Sequence, residues 1–210
     1  MKLPRLLLLA TASLLYGSAS ASPETEFWKW FQKNEAELFD FERNQEKMFD
    51  RLETEMQKVD SSLTFEFGPK QGSQREFVIS ADGIRSAFPS VEKLHATAPP
   101  LKKWKFIKFR QRREPLDIDF HGISVKAKAV AVSLERDGAK VGLTVLIPGY
   151  TKEKHESFAG IAFLFLDQAL GEFDVETRVG FIEVAAPSKK YAQVQSLQSL
   201  PATFDGFFKR

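Results

Sequence analysis

The chain contains twenty phenylalanines and not one cysteine. With no disulfide and no thiolate metal site within its reach, it can be held together only by packing. Its 210 residues suffice to bury a sizeable core. The spacing of the apolar residues is therefore the main source of architectural information.

From Glu24 to Asp60 that spacing is helical. Pro23 and Glu24 suit a helix start, and Asn34 followed by Glu37 fits a capping box, so a helix pair or one kinked helix is expected. Phe31, Leu38, Gln45, Met48, Phe49, Leu52, Met56 and Val59 recur at three- and four-residue steps, which marks a core-facing seam. The segment holds eleven acids against six bases, a formal charge of −5.

After residue 62 the period changes to two. Leu63 to Phe67 and Glu76 to Ser80 alternate like strands around a turn-rich Gly68–Gly72. A helix over Ser86–Ala98 is stopped by Pro99-Pro100, and the stretch KKWKFIKFRQRR (Lys102–Arg113) follows as a strand. The second half repeats the order. A long strand is predicted over Ile123–Leu134, a turn at Asp137-Gly138, a strand over Val141–Ile147, an apolar helix over Glu156–Leu170 capped by Gly171, and a strand over Val179–Val184. The predicted class is α+β: one mostly antiparallel sheet with helices packed on it, an N-terminal helix or helix pair, and duplicated ββαβ units at 63–113 and 123–186. The expected divisions are a signal peptide at 1–21, a helical segment at 22–62, a body at 63–187 and a tail at 188–210. In the tail, Leu197, Leu200, Phe204, Phe207 and Phe208 either dock on the body or form an exposed aromatic end.

The first residues set an expected compartment. Lys2 and Arg5 precede an apolar run over Leu6–Gly17, and Ala19-Ser20-Ala21 fits a small-x-small cleavage site. A secretory signal cleaved after Ala21 would place the protein in the periplasm or outside the cell, with no membrane span left after cleavage. Without cysteine the chain cannot carry a lipoprotein anchor. Cleavage would remove two of the 30 bases and none of the 28 acids, leaving the two in balance.

KKWKFIKFRQRR has seven cations and three rings, the mixture a nucleic-acid surface requires. That partner is not expected, because the basic surplus disappears with the signal and the rings split between two parities. Trp104 and Phe106 share one, Ile107 and Phe109 the other, so no single stacking face forms. Two readings stay open for Lys105, Lys108, Arg110, Arg112 and Arg113: pairing with the acidic N-terminal helices, or contact with an anionic partner.

Catalytic signatures are sparse. No GxSxG, HExxH, P-loop or dinucleotide-binding glycine motif occurs, and no cofactor is expected. Asp117, Asp119 and His121 would share one face of a strand and are the candidate metal ligands. Glu172, Asp174, Glu176 and Glu183 are the candidates for paired-carboxylate chemistry.

Four stretches together resemble a bacterial family, the domain of unknown function numbered 695. They are Trp28-Lys-Trp-Phe-Gln-Lys-Asn, Arg75-Glu-Phe-Val-Ile-Ser-Ala-Asp-Gly, Trp104-Lys-Phe-Ile-Lys-Phe-Arg, and Phe165-Leu-Asp-Gln-Ala-Leu-Gly-Glu before Phe181-Ile-Glu. The likeness covers roughly residues 27–185. It implies a compact α+β domain of bacterial source and supplies neither activity nor site residues. The expected function is an exported, non-enzymatic module of the bacterial envelope that binds a protein, a peptide or an anionic partner. The alternatives are an envelope hydrolase with a dispersed carboxylate and histidine site, and an inhibitor or immunity-type protein.

Overall fold

The computed structural model describes residues 21–209; the expected signal segment lies outside the described residues, apart from Ala21. The fold is α+β. Three helices open it: α1 (Pro23–Lys33), α2 (Glu35–Phe39) and α3 (Gln45–Gln57), with a short 3-10 turn over Phe41–Arg43 between the last two. Ser22 caps α1, its Oγ accepting the Thr25 N–H, with Pro23 in the first turn. The break at Asn34 falls where the sequence places it, but for a different reason. The Asn34 amide does not cap α2; it donates back to the Trp30 carbonyl at 2.7 Å and accepts from Arg51 on α3.

The first sheet comprises β1 (Thr64–Phe67), β2 (Arg75–Ser80) and β3 (Trp104–Lys108), with α4 (Phe88–Ala96) between β2 and β3. β1 pairs antiparallel to β2, and β3 pairs parallel to β2. The second half repeats this topology. β6 (Ala131–Asp137) pairs antiparallel to β7 (Lys140–Leu146). After α5 (His155–Leu170) and α6 (Glu172–Arg178), β8 (Val179–Ala185) returns parallel to β7. The short β9 (Val194–Ser196) adds antiparallel to β6, and α7 (Leu200–Gly206) closes the chain. A small hairpin, β4 (Ile118–Phe120) and β5 (Ile123–Val125), stands between the halves.

Antiparallel pairings predominate, as the alternating strands predict, but they are divided among three sheets instead of one. Two features interrupt continuity. The predicted strand over Ile123–Leu134 breaks into β5, a 3-10 turn at Ala127–Ala129 and β6, because the Asp117 carboxylate accepts the Ala127 N–H at 2.9 Å and turns the chain. Beyond β3, Phe109 takes a left-handed backbone (φ 60°), which ends the strand while burying the ring against Phe88 and Phe173.

Each half has its own core. The first is aromatic: Phe27, Trp28, Phe31, Phe77 and Trp104 pack together between the N-terminal helices, α4 and one face of the first sheet, with Phe31 edge-on to both Trp28 and Trp104. The second is mainly aliphatic, built from Val132, Leu143, Val145, Ile161, Leu166 and their neighbours. The tail belongs to this second core, since Leu197, Leu200 and Phe204 are buried in it; it is docked rather than an exposed aromatic end.

Candidate functional site

The basic stretch forms the seam between the two halves, and from Lys105 onward its cations are met by carboxylates of the same chain. Lys105 pairs with Glu76 at 2.8 Å and Lys108 with Glu92 at 3.2 Å. Arg110 donates through Nε to Asp167 at 2.9 Å and through Nη2 to Asp82 at 2.7 Å, with Glu66 at 3.7 Å. Arg112 holds both oxygens of Asp205 at 2.9 and 2.8 Å, together with Asp174 and the Leu170 carbonyl. Only Arg113 is loosely held, its nearest carboxylate being Glu66 at 3.8 Å.

Pairing therefore occurs, but not with the expected partner. Lys105, Lys108, Arg110, Arg112 and Arg113 find their acids on β1, β2, the loop after β2, α4, α5, α6 and α7, and none on the acidic N-terminal helices. The reason is topological. Where Phe109 ends β3, the chain turns toward the second half and carries Arg110–Arg113 across α5 and α6. The acids of the N-terminal helices instead meet Lys29, Arg51, Lys58, Lys70, Arg75 and Lys93.

At the centre of the seam is Glu172, fully buried. Its Oε1 accepts the backbone N–H groups of Ala81 (2.9 Å) and Gly83 (3.2 Å), and its Oε2 accepts that of Arg110 (3.0 Å). Gly171 makes this approach possible. It has φ 80°, and a Cβ there would stand 3.1 Å from the Arg110 carbonyl. Gln168 fastens the continuation, its backbone carbonyl accepting the Arg113 N–H and its Oε1 the Leu116 N–H, each at 2.7 Å. Three stretches that carry the family resemblance thus meet in one place, through Asp82 and Gly83, through Arg110, and through Asp167 and Glu172.

Sequence reading grouped Glu172 with Asp174, Glu176 and Glu183 as a candidate for paired-carboxylate chemistry and did not find its place as a buried clamp. The available signal was its position, directly after the glycine that ends an apolar helix.

The electrostatics follow from this crowding. Burial raises the Asp167 carboxyl above its ordinary range, and Glu172 and Asp82 add to the effect against the opposing pull of Arg110. Burial also raises Glu176, reinforced by Asp167 and Glu172. Arg110 is itself penalised by burial, yet Asp82, Asp167 and Glu172 outweigh that and hold its pKa above the usual value. Asp205 is lowered, chiefly by its bond from Arg112.

The three candidate metal ligands are not gathered into one site. Among the described residues no group of three or more His, Asp or Glu is placed to hold a metal ion. Asp117 precedes β4 and is taken by Lys126 at 3.0 Å and by the Ala127 N–H. Asp119 lies within β4, while His121 sits in the turn with φ 49°, where strand alternation has already ended. The four C-terminal acids do not converge with His121 either. Glu172 and Asp174 are bonded into the seam, Glu176 faces Gly83, and Glu183 lies exposed on β8.

Beside the seam lies a cleft of about 310 Å³. Its floor is the face of the first sheet turned away from the aromatic core, where Glu66, Val78 and Ile107 stand side by side on β1, β2 and β3. Leu164, Asp167 and Gln168 of α5 form one wall, and Arg110–Arg113 another. The surface is an apolar strip rimmed by charges of both signs.

Comparison with protein-family models, with curated proteins and with solved structures found no match.

Among the described residues, no helix is long and apolar enough to cross a membrane. Of the three histidines, His95 bonds to the Phe106 carbonyl, His155 to the Tyr150 hydroxyl, and His121 occupies the β4–β5 turn. None of them lines the cleft.

Proposed function

We propose that this protein is a non-enzymatic binding module of the bacterial envelope, exported by its N-terminal signal, and that its ligand is a polypeptide segment held in the cleft between the halves. One observation carries the reading. The cleft offers an apolar floor of Val78 and Ile107 with a Leu164 wall, while the carboxylates and guanidiniums around it already neutralise one another. Beyond the loosely held Arg113, an anion would have to displace Asp82 and Asp167 from Arg110, or Asp205 and Asp174 from Arg112, whereas a polypeptide needs apolar contact and a mixed polar rim. Kinship with family 695 is part of the proposal and rests on the meeting of its motif stretches at the seam.

Photo-crosslinking provides the test. With a benzoylphenylalanine replacing Gln111 at the cleft edge, irradiated cells should yield a discrete polypeptide adduct recovered from the envelope fraction. Adducts confined to lipid or small metabolites, or recovery of the protein only from the cytoplasm, would defeat the reading.

A further inference from the structure

The two halves share the order hairpin, helix, parallel strand, but their sheets end differently. In the second, the strand order is β8-β7-β6-β9, so the first hairpin strand, β6, carries an extra antiparallel strand on its outer side. In the first, the order is β3-β2-β1 and stops, so the equivalent side of β1 is open. The opposite margin of that sheet is partly engaged, because His95 reaches the Phe106 carbonyl of β3 at 3.2 Å.

The groups aimed at the open side follow from the ladder. Gly68 N–H donates to the Glu76 carbonyl, which places Gly68, Glu66 and Thr64 at the hydrogen-bonded pairs with β2. Phe65 and Phe67 alternate with them and direct their N–H and C=O groups away from the sheet. Their side chains join Phe41 and Phe49 in a half-buried aromatic strip, with Phe41 and Phe67 stacked at 4.8 Å and Phe49 edge-on to Phe65 at 5.3 Å. On α3, Glu46 and Glu53 lie one turn either side of Phe49, and Asp50 is beside it. All three acids are exposed and make no ion pair among the described residues.

We propose that a strand of a partner polypeptide, with apolar and basic residues alternating along one of its two faces, adds antiparallel to β1 as β9 adds to β6. Its backbone pairs with Phe65 and Phe67, its apolar side chains cover the aromatic strip, and its cations meet Glu46, Asp50 and Glu53. The inference rests on the reading of the chain as a polypeptide-binding module and names the partner and its mode. β1 also lines the cleft through Glu66–Pro69, so an added strand would lie along its margin.

The probe is a synthetic ten-residue peptide in which valine and lysine take turns at every second position with threonine between them, so that both project from one face, titrated into isotope-labelled protein. Pairing should slow hydrogen exchange at the Phe65 and Phe67 amides, and methylating the peptide's alternate backbone nitrogens should weaken binding about tenfold or more. Replacing its lysines by glutamate should weaken binding as much, and the double variant Glu46→Lys, Glu53→Lys should reverse that preference. Equal binding by the methylated peptide, or unchanged exchange at Phe65 and Phe67, would overturn the strand pairing. Shifts confined to Val78, Ile107 and Arg113 would do the same while leaving the cleft reading intact. Absence of any binding would remove the basic alternating strand as partner, with the crosslinking experiment still deciding the broader function.

Discussion

Glu172 and Arg110 are bonded to each other twice: the Glu172 N–H donates to the Arg110 carbonyl, and the Glu172 carboxylate accepts the Arg110 N–H, both at 3.0 Å. This closed ring joins the end of the first sheet to the start of α6. The other carboxylate oxygen secures Ala81 and Gly83. Replacing Glu172 by Ala leaves three backbone donors without this acceptor and should cost at least about 3 kcal/mol. Glu172→Gln keeps one acceptor oxygen and should cost about 2 kcal/mol. Urea denaturation of both variants measures this, and a loss below about 1 kcal/mol in the alanine variant would mean that the clamp matters little.

Glu176 should show the opposite sign. Its folded pKa is raised by burial and by the charges of Asp167 and Glu172, so the folded state holds its proton more tightly than the unfolded chain does. The carboxylate therefore disfavours folding increasingly as pH rises from the ordinary glutamate value through the raised one. Glu176→Gln should match the parent at pH 4 and exceed its melting temperature by about 2 °C at pH 7. A variant that melts lower at pH 7 would show that Lys140 and Arg85 outweigh the burial.

Gly142 on β7 lies beneath the Phe181 ring of β8; a Cβ there would stand 2.2 Å from the ring atoms. Gly142→Ala should cost about 2 kcal/mol through overpacking. In a Phe181→Ala background the same change should cost much less, giving a coupling of about 1 kcal/mol or more. Additive losses in the double variant would rule out the ring as the obstacle.

Arg112 links α7 to α6 by gripping Asp205 and Asp174 together. Arg112→Met should release the tail before the rest of the molecule unfolds. Limited proteolysis should then cleave within 187–209 at protease levels the parent resists, while far-ultraviolet dichroism falls only slightly. Simultaneous loss of tail and body would indicate that the tail is not a separable element.

Much of the fold is legible because its signals are local. Period-two alternation identifies β1, β2, β7 and β8, and Gly171 at the end of an apolar run identifies the limit of α5. What fails is tertiary. Val125–Val132 alternates well enough to pass as continuous strand, and only the contact from Asp117, ten residues away, breaks it. The three residues of β9 carry too little pattern to read. The seam was harder still: Arg112 finds Asp205 at a separation of 93 residues, and Arg110 finds Asp167 at 57, distances over which charge counting has no resolving power. The acidic N-terminal helices looked like the natural complement because they are the nearest dense run of opposite charge. The left-handed turn at Phe109 sends the cations elsewhere.

The division into an aromatic and an aliphatic core has an optical consequence. Trp28, Trp30 and Trp104 all belong to the first half, and the second half has no tryptophan. Indole emission therefore reports on one half alone, whereas peptide-bond dichroism sums over both. If the seam couples the halves tightly, the two signals will trace one melting curve. If the Glu172 clamp is cut, they should separate, and the gap between the curves gives a direct reading of how strongly one half depends on the other.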